Sequence, residues 1–196
     1  SSDFSDAALS ALPERAIAMA RLAPEDRFAG LAPRERLAQT IPDLDLADKE
    51  EPAAEILVER AKTAEQAGLA VPGVTNSEGG GAGYSRSAIA LATSTGFFGG
   101  YAGTSSSIGV AMLAGEGTGM ERDYDYTTAR HAADLKSAAA IGKSAGERAV
   151  ARLNPRKAKS QAVPVVFDPR ESSGLLGHFS SAISGVAIAR SVSFLK

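Results

Sequence analysis

Three stretches of the chain repeat apolar residues at the spacing of an amphipathic helix. Residues 5–22, 52–67 and 138–153 each place leucine, isoleucine, valine, methionine or alanine on one face at intervals of three and four, which predicts three helices. Pro13 interrupts the first pattern and is expected to kink or restart that helix. Ser137 precedes the third pattern, where a serine hydroxyl can cap the free N–H groups of the first turn.

Between the second and third helices the pattern changes to an alternation with a period of two. Larger and smaller residues alternate through residues 88–93 and again through 105–113, which is typical of strands. The glycine-containing segments 94–96 and 115–119 resemble tight turns, and short turns join antiparallel strands. We therefore predict an α+β fold class, with an antiparallel β-meander of about four strands flanked by helices.

The last part of the chain reads as a new strand–helix unit. A β-branched run at residues 163–167 predicts a strand, and a helical pattern begins at Ser172 or Ser173. The apolar stripe of this helix consists of Leu175, Leu176, Phe179, Ala182, Ile183 and Val186. The basic connector before the unit predicts a domain boundary between residues 1–155, an α+β domain, and residues 156–196, a linker and the start of a second domain.

The net charge and the amino-acid composition of the chain argue against several classes of function. The formal net charge is −2, with 21 basic and 23 acidic residues, so the chain has no large single-sign field to attract nucleic acid. It contains no cysteine, which excludes a disulfide framework and a thiolate zinc site. The sequence shows no signal peptide and no apolar run of about 18 residues. We expect a cytoplasmic protein with no membrane or nucleic-acid partner.

Residues suited to catalysis or metal binding are scarce. The two histidines, His131 and His178, lie far apart in the sequence, whereas a zinc site needs three or four ligands. The Gly-x-Ser-x-Gly pattern of a nucleophilic serine is absent. The glycine-rich segments 79–83 and 115–119 lack the Lys-Ser/Thr of a phosphate-binding loop and are better explained as turns or bulges. We therefore expect no catalytic residue, no metal ligand and no cofactor in this chain.

One predicted strand carries a candidate contact surface. A period of two places Arg122, Tyr124 and Tyr126 on one face and Asp123 and Asp125 on the other. Tyrosine and arginine are enriched where proteins contact one another. The face with the two tyrosines is therefore a candidate contact surface for a peptide or a second subunit, although a solvated strand would show the same alternation.

Five segments of the chain are distinctive, and they occur in the order VTNSEGGGAGYSRSAIALATSTGF, AGEGTGMERDYDYTTARHAADL, VVFDPR, SGLLGHFSSAISG and the final SFLK. Together and in this order, they resemble the PmbA/TldE branch of the TldD/PmbA metalloprotease family. The resemblance covers nearly the whole chain, but members of this family are considerably longer at both ends. We expect this chain to be a middle segment, or the ordered part, of a longer protein that continues into a C-terminal metalloprotease-like domain.

The resemblance implies a metalloprotease made of two related subunits. In the TldD-type subunit a Leu-Leu pair precedes the zinc motif His-Glu-x-x-x-His, and here Leu175-Leu176 precedes Gly177, His178 and, four residues later, Ala182. Glycine and alanine carry no ligating atom, and His178 stands at the position of the glutamate. The resemblance therefore implies the subunit without the zinc motif, with zinc expected in the TldD-type partner.

The function implied by the resemblance is that of a subunit in a heterodimeric protease complex, which degrades or processes small or unfolded peptides. In such a complex, this chain would complete the chamber or the substrate cleft in which the partner subunit cleaves the peptide. Whether this chain is itself an enzyme therefore stays open. One alternative is a non-enzymatic protein-binding modulator that needs no partner protease. A second alternative is a hydrolase that uses residues outside this sequence.

Overall fold

The computed structural model describes residues 2–27 and 29–195 of the 196-residue chain. Contacts between residues divide the chain into two compact units, Ser1–Asn154 and Pro155–Lys196. The helices are α1 (Asp6–Leu22), α2 (Ala54–Leu69), α3 (Ala138–Ala151), α4 (Pro169–Ala182) and α5 (Gly185–Ala189), and the strands are β1 (Val74–Ala92), β2 (Phe98–Ala114) and β3 (Glu121–Ala129). The first unit combines helices with an antiparallel sheet, so the predicted α+β fold class is confirmed.

The sheet of the first unit has three antiparallel strands in the order β1–β2–β3. β1 and β2 form a long hairpin that pairs Val74 with Ala114 at its base. At the tip, the N–H of Thr93 donates a 2.9 Å hydrogen bond to the carbonyl oxygen of Phe97. β3 pairs only with the basal part of β2, from Ser106 to Ala114. The distal part of the hairpin therefore extends beyond the third strand.

The prediction of about four strands is wrong, because segments expected to be separate are continuous. Most of the glycine-rich segment 79–83 lies within the regular ladder of the 19-residue β1, and a bulge accounts only for its beginning, between Ser77 and Gly79. A Cβ at Gly80 would overlap the backbone carbonyl oxygen of Ala61 in α2. Glycine at this position therefore allows a helix to approach the sheet closely instead of forming a turn.

Helices α2 and α3 pack on one face of the sheet and bury its hydrophobic core. The core comprises Ala64, Ile108, Val110, Met112, Ala114, Ile141, Ala145 and Ala149. Half of these residues are alanines, and α2 and α3 lie correspondingly close to each other. A Cβ at Gly142 of α3 would overlap the carbonyl oxygen of Ala64 in α2. Among the described residues, α2 and α3 are the helices that pack on the sheet, and the side chains of the opposite face are partly or fully exposed at most positions.

The three predicted helices of the first unit are present, with shifts of one or two residues at their ends. The hydroxyls of Ser5 and Ser137 cap α1 and α3 by accepting hydrogen bonds from the N–H groups of Ala8 (3.3 Å) and Ala140 (3.2 Å). α1 runs through Pro13 without a restart, since its surface is exposed and water can bond the carbonyl group that proline leaves without a donor. In the part of the chain that the structure describes, no helix has the length and apolarity to cross a membrane.

Residues 41–48, which we call the strap, lie beside the distal part of β2, where β3 has ended. The N–H of Thr104 donates to the carbonyl oxygen of Leu46 (2.9 Å). The hydroxyl of Thr104 donates to the carbonyl oxygen of Arg130 (2.7 Å) and accepts from the N–H of Asp48 (2.8 Å). The strap thus takes the place of a third strand at this edge of β2.

The second unit contains α4 and α5. The side chain of Asp168 caps α4 by accepting a 2.9 Å hydrogen bond from the N–H of Arg170. The strand predicted at residues 163–167 is wrong, since these residues adopt no regular structure. A strand needs a neighbour to bond its N–H and C=O groups, and the described residues of this unit form no strand. The predicted helical stripe is also divided, because α4 ends at Ala182 and α5 begins at Gly185.

Candidate contact surface and the motif-equivalent helix

Arg122, Tyr124 and Tyr126 line the face of β3 that points away from the helices. The two tyrosine rings are stacked, with centroids 6.3 Å apart and planes inclined by 20°. The guanidinium carbon of Arg122 lies 5.8 Å from the centroid of the Tyr124 ring, within the range of a cation–π contact. The Arg122 Nε also bonds the Glu78 carboxylate at 2.6 Å, which orients the guanidinium. The three residues form one exposed aromatic and basic patch, as the alternation predicts.

The opposite side of β3 holds the two aspartates, and the structure gives them a role that the sequence pattern does not reveal. The Oδ1 atom of Asp123 accepts the N–H of Tyr124 (2.7 Å), and the Oδ1 atom of Asp125 accepts the N–H of Tyr126 (2.8 Å). Asp123 is buried, and its Oδ2 atom lies 3.6 Å from Arg152 Nη1 at the end of α3. Because both N–H groups point away from β2, the carboxylates block strand pairing at the outer edge of β3.

The floor beside the aromatic patch is made of small residues. On the open face of the sheet, β1 and β2 present Gly81, Gly83, Ser85, Ser105, Ser107 and Gly109. A Cβ at Gly109 would lie 3.3 Å from Tyr126 Cβ, whereas a Cβ at Gly81 would meet nothing within 4 Å. Tyr126 therefore packs against this floor at one side, and the rest is accessible to the backbone of another polypeptide.

Helix α4 carries the positions that correspond to the zinc motif. Gly177 and His178 are exposed, and a Cβ added at Gly177 would meet no atom within 4 Å. Ala182 is 5% exposed, and its carbonyl oxygen accepts a 2.7 Å hydrogen bond from the hydroxyl of Ser193. Neither ligand position has a donor atom in its side chain, and His178 is the one donor of the three. These residues do not fit a zinc ion.

Outside α4 the structure offers no substitute for that motif. Among residues 2–27 and 29–195, no three histidine, cysteine, aspartate or glutamate side chains come together as a metal site would require. Zinc in proteins is held by three or four such ligands.

His131 joins the strap to the end of β3. Its Nε2 atom lies 2.8 Å from the carbonyl oxygen of Asp45 and 3.5 Å from the Asp45 carboxylate. The hydrogen bond to the Asp45 backbone, together with the negative charges of Asp45, Asp48 and Asp134, raises the pKa of His131 above its usual value. The N–H of Ala132 donates to Asp48 Oδ2 (2.8 Å), and this bond lowers the pKa of Asp48. The contacts tie two segments that are distant in sequence.

A pocket of about 570 Å³ lies between the strap and β2. Ile41, Leu44 and Tyr101 provide apolar walls, and Arg130 lies at its margin with its Nη1 atom bonded to the carbonyl oxygen of Thr104 (3.2 Å). The pocket could hold an apolar side chain. The sequence pattern did not indicate it, because the strap is irregular and its contact with β2 is not local.

Comparisons with protein families and with known sequences identify relatives of this chain. Residues 40–153 match the family described as the PmbA/TldA metallopeptidase central domain. The chain belongs to this family. It is 36% identical over 196 residues to metalloprotease PmbA of Escherichia coli O157:H7, which covers 100% of the chain and 44% of that relative. It is 32% identical over 195 residues to a PmbA homologue of Haemophilus influenzae, covering 99% of the chain and 43% of the relative.

Solved structures show the same fold. A Bacteroides thetaiotaomicron protein described as a proposed modulator of DNA gyrase superposes with a TM-score of 0.88 at 26% identity, over 100% of this chain and 45% of that one. TldE of Thermococcus kodakarensis superposes with a TM-score of 0.60 at 22% identity, over 93% of this chain and 41% of that one. The chain spans less than half the length of these relatives. The resemblance to the PmbA/TldE branch is confirmed at the level of family and fold.

Proposed function

We propose that this chain is part of the non-catalytic subunit of a TldD/TldE-type peptidase, a cytoplasmic heterodimer that cleaves small or unfolded peptides. The observation that carries the proposal is the composition of α4. At the positions of the two zinc ligands the helix has Gly177 and Ala182, and His178 replaces the glutamate. A family member with this helix needs a second subunit to supply the metal.

The two subunits would have different roles, because the partner would hold the zinc and this chain has an exposed surface suited to binding. In the TldD-type partner, a bound zinc would polarise the peptide carbonyl and lower the pKa of a bound water molecule. In this chain, the open sheet face supplies exposed aromatic rings, the Arg122 guanidinium and a floor of small residues. Such a surface can hold a peptide or a subunit without taking part in bond cleavage. The chain would bind and position, and its partner would catalyse.

A reconstitution experiment tests this proposal. The full-length protein, a TldD-type subunit from the same genome and an equimolar mixture are each incubated with an unstructured peptide, with and without a chelator. We expect cleavage by the mixture that is far faster than by either subunit and is lost on chelation. Chelator-sensitive cleavage by the full-length protein alone would contradict the proposal, because it would require a metal site within that protein.

A second candidate function is a protein-binding modulator without peptidase activity. It is favoured by the Bacteroides thetaiotaomicron structure, which matches the whole chain with a TM-score of 0.88 and is described as a proposed modulator of DNA gyrase. The same reconstitution separates the two functions. A stable complex with another protein, combined with no peptide cleavage in any mixture, would favour the modulator.

A further inference from the structure

The distal part of the β1–β2 hairpin extends beyond β3 and beyond the buried core of the first unit. We call residues 85–105 the arm. Within it β1 and β2 pair with each other, whereas β3 reaches no further than Ser106 of β2 and the buried core reaches no further than Ile108. Two-stranded hairpins are marginally stable in water unless something packs against them. The strap bonds the arm on its β2 side, at Thr104, whereas the β1 side has no such neighbour among the residues that the structure describes.

The arm exposes several large apolar side chains and carries little charge. Ile89, Leu91, Phe98 and Tyr101 are 50%, 55%, 80% and 51% exposed. Arg86 is the single charged residue among residues 85–105. Exposed strands of natural proteins are normally protected by charges or proline, and contiguous exposed apolar surface marks an interaction site. The arm has neither form of protection along most of its length.

The outer edge of β1 also has free backbone groups in the arm. In an antiparallel pair, every second residue of a strand directs its N–H and C=O groups toward the neighbouring strand. Thr93 of the β1 side bonds Phe97 of the β2 side, so Leu91 and Ile89, two and four residues before Thr93, also direct theirs toward β2. Ala88 and Ala90 consequently direct theirs away from the sheet. Among the residues that the structure describes, none bonds these outward groups.

The other edges of the sheet are occupied, which makes the bare edge of β1 unusual. At the outer edge of β3, Asp123 and Asp125 accept the N–H groups of Tyr124 and Tyr126. At the distal edge of β2, the strap bonds the N–H of Thr104. Water can bond these groups one at a time, whereas a polypeptide in extended conformation can bond the alternating N–H and C=O groups of β1 as a row.

We propose that the arm is an assembly element: the outer edge of its β1 strand pairs with an extended strand of the partner subunit, whose body also covers the apolar faces of the arm. This inference rests on the proposed two-subunit function. A folded partner is required because Phe98 lies on one face of the ribbon and Ile89 on the other, and a single added strand covers neither face. A membrane surface is disfavoured, since one cation in the arm offers little attraction to anionic lipid.

Hydrogen exchange at single amides measures the pairing directly. The full-length protein is compared alone and in complex with a TldD-type subunit. In the free protein we expect the amides of Ala88 and Ala90 to exchange rapidly and those of Ile89 and Leu91, bonded to β2, to exchange slowly. Protection of Ala88 and Ala90 at every concentration of the free protein would mean that another part of the same chain covers this edge, and would overturn the inference. In the complex we expect Ala88 and Ala90 to become at least about tenfold more protected, which corresponds to one hydrogen bond per amide.

A proline substitution provides the matching functional test. Ala88→Pro removes an outward N–H at a position where an edge strand tolerates proline, so the protein folds but the incoming strand loses its partner. Binding of the TldD-type subunit is expected to weaken about tenfold or more. Ala88→Val keeps the N–H and suits a strand, so it serves as the control and should bind normally.

The remaining outcomes overturn the inference in distinguishable ways. If the complex forms and cleaves peptide while Ala88 and Ala90 stay unprotected, the arm is not the interface, although the proposed function holds. If protection appears in the isolated protein and increases with its concentration, the arm pairs with a second copy. If no TldD-type subunit binds, both the inference and the proposed function fail.

Discussion

The hydroxyl of Thr104 donates a 2.7 Å hydrogen bond to the carbonyl oxygen of Arg130 at the end of β3. The same oxygen accepts the N–H of Asp48 from the strap, and Thr104 is 1% exposed. One buried hydroxyl thus joins β2 to a segment that precedes β1 in the sequence and to a segment that follows β3. If the hydroxyl oxygen is removed, both hydrogen bonds are lost. Because Thr104 is buried, water cannot easily reach the Arg130 carbonyl oxygen or the Asp48 N–H to replace them.

Replacing this hydroxyl by a methyl group should destabilise the first unit. Thr104→Val leaves the carbonyl oxygen of Arg130 and the N–H of Asp48 without a partner, at a cost of about 1–3 kcal/mol in the free energy of unfolding. Thr104→Ser keeps the hydroxyl and should cost about 1 kcal/mol for the lost methyl group. Urea denaturation of the full-length protein measures both variants. Equal stability of wild type and Thr104→Val would contradict this account of the strap.

Two glycine-to-alanine substitutions should have opposite effects. In Gly142→Ala the new methyl group overlaps the backbone carbonyl of Ala64, so α2 and α3 must separate, at a cost of about 1–3 kcal/mol. In Gly177→Ala the methyl group meets no atom within 4 Å, and α4 gains up to about 1 kcal/mol of helix propensity. Hydrogen exchange within α3 and α4 reports each helix separately. A stabilised α3 in Gly142→Ala would show that the two helices are not in tight contact.

The contact of His131 with the strap should make stability depend on pH. The hydrogen bond to Asp45 and the nearby Asp45, Asp48 and Asp134 charges raise its folded-state pKa, so protonation favours the folded state. This contribution is fully present below the unfolded-state pKa of about 6.5 and is lost as pH rises through the higher folded-state value. Asp48, whose pKa is lowered, remains ionised throughout this window.

The comparison with His131→Gln isolates this effect, since glutamine can still donate to the carbonyl oxygen of Asp45 but does not titrate. The stability advantage of the wild type over the variant should be larger at about pH 5.5 than at about pH 8.5. Chemical denaturation at the two pH values measures it. An advantage that is constant or increases with pH would mean that the imidazolium form does not stabilise the strap.

His178 should be dispensable for peptide cleavage by the complex. It is exposed on α4, between the ligand-equivalent positions Gly177 and Ala182 that offer no metal ligand, so His178→Ala should leave the rate of the reconstituted complex nearly unchanged. Replacement of a motif histidine in the TldD-type partner by alanine is the contrasting variant and should abolish cleavage. If His178→Ala abolished cleavage while folding and assembly were preserved, the histidine would have a direct role.

Local patterns predicted the helices well because their determinants are local. Ser137 and the repeat that follows it are sufficient to place α3, and period two is sufficient to place Arg122, Tyr124 and Tyr126 on one face. The continuity of β1 was not predictable in this way, since the role of Gly80 depends on the carbonyl group of Ala61 in another element.

The burial of Asp123 and the strap depend on contacts between distant parts of the chain. Asp123 is buried beside Arg152, which belongs to the end of α3, and no pattern within β3 distinguishes it from the more exposed Asp125. The run at residues 163–167 has the composition of a strand but no neighbouring strand in the described part of its unit. Strand formation requires such a neighbour, whereas a helix bonds its own backbone.

The location of zinc tests the central claim most directly. The full-length protein, the TldD-type subunit and their complex are purified, and the metal content of each is measured by mass spectrometry. Because Gly177 and Ala182 cannot bind a metal, we expect zinc in the TldD-type subunit and in the complex but none bound stoichiometrically to this protein alone. Stoichiometric zinc in the isolated full-length protein, retained after dialysis, would contradict the assignment of this chain to the non-catalytic subunit.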